Sequence, residues 1–164
     1  MLPKELIGVK KFIVVLVLVM GIFGTAEASR YSDASDVYMA YADVMNHLDG
    51  YDDFKKSNVN AENKFQRFSL DYRMDETMKP VTNSLKDIAL PFHILGVVMA
   101  MHYEHNKEFV SKVDGWSEIP QLRDLHPKAS GNYLPKDVLS AIMSRIKDVK
   151  SNTMDEISKL KEEP

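Results

Sequence analysis

The chain has 164 residues, 45% of them hydrophobic and 27% charged, with a formal net charge of −3 at pH 7; that is one domain's length with enough apolar residues for a core. The acidic balance argues against a nucleic-acid binder, whose affinity rests on phosphate neutralisation by clustered Lys and Arg. The absence of cysteine excludes disulfides, thiol redox chemistry, cysteine nucleophiles, thiolate zinc sites and covalent c-type haem.

The N-terminus reads as an export signal. Lys4, Lys10 and Lys11 precede an uncharged apolar run from Phe12 to Phe23, and Ala26-Glu27-Ala28 forms an A-x-A cleavage site before Ser29. About a dozen apolar residues fall short of the roughly 20 that span a bilayer. The expectation is a signal peptide over 1–28 that is removed, and one helical domain over 29–164 that is periplasmic or extracellular, with no stable membrane insertion after cleavage.

Six segments follow. Ser32, Asp33 and Ser35 offer N-caps for a first helix with Val37, Tyr41, Val44 and Leu48 on one face, stopped by Gly50. Residues 51–60 (YDDFKKSNVN) are polar and read as a loop. A second helix carries Ala61, Phe65, Phe68 and Tyr72, continued by Met74 and Met78 up to Pro80. From Ile88 to Tyr103 the chain is apolar all the way round, which predicts a buried central helix started or kinked by Pro91 and running on, amphipathically, to Gly115. Two histidines, a proline and a glycine in that run argue against a membrane hairpin. Residues 116–134 read as the longest connection, with one short helix around Glu118 to Leu125. The last helix opens at Pro135 and carries Leu139, Ile142, Ile146, Val149, Met154, Ile157 and Leu160 on one stripe. The pattern predicts an all-α, antiparallel four-helix bundle-like domain.

Two constellations are candidates for function. Met101, His102 and His105, with Met99 as a soft auxiliary ligand, fan across one side of the central helix if it continues past Tyr103; thioether and imidazole donors in an exported protein favour copper. Trp116 and Tyr133, in the long connection, either cap the end of the core or form an exposed aromatic patch that binds a partner. No other reactive arrangement is legible. The spacing of His102 and His105 does not match H-E-x-x-H, the last helix has no histidine to oppose a haem ligand, and Asp49 to Asp53 lacks the calcium-loop glycine. No nucleophile elbow, phosphate loop or dinucleotide fingerprint occurs.

Residues 127–146 (PKASGNYLPKDVLSAIMSRI), a proline, a short turn and an amphipathic helix, resemble the same stretch of the small exported immunity proteins that neutralise type VI secretion effectors. Leu95-Gly96-Val97 is similar to a Gly-Val step in that family. The chain departs from the family in having no cysteine beside the turn, where His126 stands. The resemblance implies a protein partner. The preferred expectation is a non-catalytic exported domain, without a cofactor, that binds another protein as an inhibitor or immunity-type partner; the alternative is a periplasmic copper-binding bundle.

Overall fold

A computed structural model describes residues 29–128 and 130–161, so the expected signal peptide lies outside the described residues. The protein is all-α: α1 over 29–45, α2 Tyr51–Asp71, α3 Lys79–Tyr103, the short α4 Pro120–Arg123 and α5 Pro135–Lys159.

The segment 51–60, expected as a loop, is the first half of α2. Its buried stripe is Phe54, Ser57, Asn58, Ala61 and Phe68, so the helical period is present but carried by Ser and Asn, which a hydrophobic pattern passes over. Asp52 and Asp53 in the first turn favour the helix dipole. Gly50, expected to stop α1, is instead the extended N-cap of α2. Pro80 likewise opens α3 rather than closing α2, a position where its missing N–H costs nothing. A 3-10 turn over Glu76–Met78 links the two helices, with the Asp75 side chain accepting from the Thr77 N–H.

Among the described residues, α3 is the helix around which the others gather. Its buried positions include Val81, Leu85, Ile88, Phe92, Ile94, Leu95, Val98 and Met99. Glu76–Tyr103 is long and apolar enough to cross a membrane by length and composition alone; here those faces are taken up by α2 and α5 and by α1, whose Tyr41 ring stacks on Phe92 at 5.2 Å. Pro91 lies inside α3 and is buried. Its roughly 3 kcal/mol cost is outweighed by the neighbours it sits among, each worth roughly 1.5–3 kcal/mol on full burial.

Polar contacts fix the directions of the helices. The Tyr72 hydroxyl at the end of α2 donates to Asp33 near the start of α1 at 2.6 Å, and Tyr51 at the start of α2 donates to Glu104 at the end of α3 at 2.7 Å. Thr153, late in α5, reaches the Ser84 carbonyl, early in α3, at 3.0 Å. Each of these pairs is antiparallel.

The expected extension of α3 to Gly115 does not form. The last turn widens, with the His105 N–H on the Ala100 carbonyl at 3.3 Å and the Lys107 N–H on that of Met101 at 3.1 Å, and Asn106 turns the chain left-handed at φ 49. Val110 then pairs with Tyr133 in an isolated antiparallel bridge. Gly115 takes φ +80, and a Cβ there would lie 2.6 Å from Leu90 Cδ1. Only glycine fits both the backbone and that contact.

Leu95 is fully enclosed. Leu95→Ala is expected to lower stability by about 2–5 kcal/mol in urea unfolding. A loss below about 1 kcal/mol, the scale of a surface substitution, would contradict the placement of α3.

Candidate functional site

The residues proposed as metal ligands lie at the C-terminal end of α3 and in the turn after it. Met99 points into the core at 8% exposure, and Met101 is half-buried against it. α3 ends at Tyr103, and His105 lies in the turn that follows it. His102 turns back on the widened helix end: its Nδ1–H donates to the Lys107 carbonyl at 3.0 Å, an acceptor that fixes this tautomer. Among the described residues no group of three or more His, Asp or Glu side chains converges.

Trp116 and Tyr133 are brought together, but inward. They are 2% and 4% exposed, their rings 4.7 Å apart, and the indole N–H donates to the Leu122 carbonyl at 2.9 Å. With Val110, Ile119 and Leu122, all buried, they close one end of the core. The exposed aromatic patch expected of them is not formed. The pair takes the other arrangement open to it from the sequence, a cap on the end of the core.

Exposed apolar surface lies instead along a groove of about 240 Å³ between α2 and α3, whose walls include Phe54, Val59, Val97 and Ala100. Val59 is 49% exposed, and Tyr103 is 53% exposed and stacked on Tyr51 at 5.0 Å. Gly96 makes the close approach of the two helices possible. Asn58, 4% exposed, donates from Nδ2 to the Phe92 carbonyl at 3.4 Å, and a Cβ at position 96 would come within 2.8 Å of that nitrogen. Asn58 Oδ1 has no hydrogen-bond partner among the described residues. A glycine and an asparagine in otherwise helical runs were the available signals for this crossing.

Two polar clips span the groove. At one end His93 Nδ1 lies 3.1 Å from Glu62 Oε1. At the other end Glu104 accepts from the Tyr51 hydroxyl at 2.7 Å and from the Lys55 ammonium at 2.6 Å. The Lys55 contact, then the Tyr51 hydroxyl, hold the Glu104 carboxyl below the usual carboxylate range. Desolvation, then the bond to Glu104, pushes the Tyr51 phenol up to about 12. The clip is therefore whole above the ordinary carboxylate range and weakens as pH falls through the depressed Glu104 midpoint. On the alkaline side its phenol contribution is present below about 10 and lost as pH rises through about 12.

No protein-family model matches the chain, and no curated protein or solved structure is significantly similar to it.

Removing the larger cause should move the midpoint most. In carboxyl ¹³C titrations, Glu104 is expected to titrate below a free glutamate, to shift upward in Lys55→Ala, and to shift upward by less in Tyr51→Phe. An unchanged midpoint in both variants would mean that the clip is not formed in solution.

Proposed function

We propose that this chain is exported, that residues 1–28 are removed, and that the remaining four-helix bundle-like body works without catalysis by binding another protein, in the manner of an inhibitor or immunity partner. The observation that carries this reading is the α2–α3 groove: an apolar floor, the exposed Val59 and the stacked Tyr51–Tyr103 pair beside it, and ionic groups at the rim. Aromatic groups with a polar tip suit the centre of an interface, and charged groups its edge. Two parallel ridges with an apolar floor fit the apolar face of a partner's amphipathic helix. The resemblance of 127–146 to immunity proteins of type VI effectors points to the same class of partner.

A photo-crosslinking residue at Val59, compared with one at the exposed Met154 of α5, tests the reading in the producing cell. The groove position is expected to yield one discrete adduct with a second protein, absent from position 154 and lost when Val97→Glu is added. Adducts that are the same from both positions, or that contain only this chain, would contradict it. The intact mass of the exported form is expected to begin at Ser29; a retained N-terminus in the membrane fraction would overturn the cleavage.

A further inference from the structure

A second cleft lies between α1, α3 and α5, with Ala42 of α1 among its lining residues. It has a volume of about 290 Å³ and is enclosed by Tyr38, Tyr41 and Met45 on the α1 side, Ile88 and Phe92 from α3, and Ile146 from α5, with Asn46 and Lys150 also lining it. The wall is apolar and partly aromatic, with the stacked Tyr41 and Phe92 rings 5.2 Å apart and 22° from parallel. Lys150 makes no ion pair among the described residues, and no carboxylate lines the cleft.

We infer that this cleft binds a small amphiphilic carboxylate, its alkyl body between α1, α3 and α5 and its head at Lys150. The charge selects the class: an ammonium head would meet Lys150 unfavourably, whereas a carboxylate gains a charge-assisted hydrogen bond from it and a second donor in the Asn46 amide. Size selects within the class. At the roughly 30 Å³ that one water takes in the liquid, the cleft holds about ten non-hydrogen atoms, a medium-length chain rather than a membrane lipid. It is at the small end of the roughly 300–1,000 Å³ usual for ligand pockets, so one molecule per chain is expected. The site is independent of the α2–α3 groove and of the protein partner proposed for it.

Decanoate, decanol and decyltrimethylammonium, each below its aggregation concentration, are the probes for an NMR titration of the protein. The expected result is saturable one-to-one binding of decanoate, with cross-relaxation from its chain to the methyls of Ile88 and Ile146, weaker binding of decanol, and the weakest binding of the ammonium. Lys150 is exposed, so Lys150→Glu should leave the fold intact while lowering decanoate affinity roughly three- to tenfold and reversing the preference between the charged probes. Ala42→Phe, which fills the cleft from α1, should abolish binding of all three. Absence of saturable decanoate binding would overturn the inference. So would binding that survives Ala42→Phe in a variant shown to be folded, or binding that does not respond to the charge at position 150.

Discussion

The structure depends on the burial of one helix over most of its circumference. α3 reaches solvent only along a narrow strip, Asn83, Lys86, Asp87 and His93; the rest of its length from Val81 to Met99 is largely buried. A helix of that kind cannot lie on the surface of a domain in water, and each neighbour is needed to cover one of its faces. This explains how a chain without cysteine reaches a stable body by packing alone, and why a proline in the middle of α3 is tolerated.

Polar groups decide how the covering helices are aligned. The buried Thr153 hydroxyl lies 3.0 Å from the Ser84 carbonyl and 3.1 Å from that of Val149, so it holds α5 to α3 at one register. Asn58 does the same between α2 and α3, lying where Gly96 omits a side chain. Apolar contacts alone would allow such helices to slide, whereas a buried polar group left unpaired costs about 1–3 kcal/mol. These contacts therefore specify one alignment. That alignment opens the α2–α3 groove and places the Tyr51, Lys55 and Glu104 clip across its end.

Much of the fold was legible because its largest residues obey the helical period. Phe92, Leu95, Val98, Phe68, Ile142 and Ile146 are buried where the pattern puts them. The beginning of α2 was hidden because Ser57 and Asn58 carry its buried face, and periodicity counts such residues as solvent-facing. Gly50 and Pro80 are ambiguous punctuation: each ends one segment or begins the next, and only the tertiary structure decides. The site was the least legible part. Trp116 and Tyr133 looked available because they fall in a long irregular segment, but the Val110–Tyr133 bridge and the indole bond to Leu122 fold them inward. The histidine cluster depended on a helix that continues past Tyr103, and nothing between Glu104 and Asn106 signals strongly where it stops. The groove joins residues about 50 positions apart, Tyr51 to Glu104, so no local pattern could announce it.

The central claim is that α3 is the last element to open and that protein, not lipid, covers it. Native-state hydrogen exchange in aqueous buffer tests this residue by residue. The amides of residues 92–99 are expected to be the slowest in the chain and to exchange with the free energy of global unfolding, while those of 104–108 and 130–132 exchange through local fluctuations. Amides in α3 that exchange as fast as those of the flanking turns, or that become protected only when detergent or lipid is added, would contradict the account.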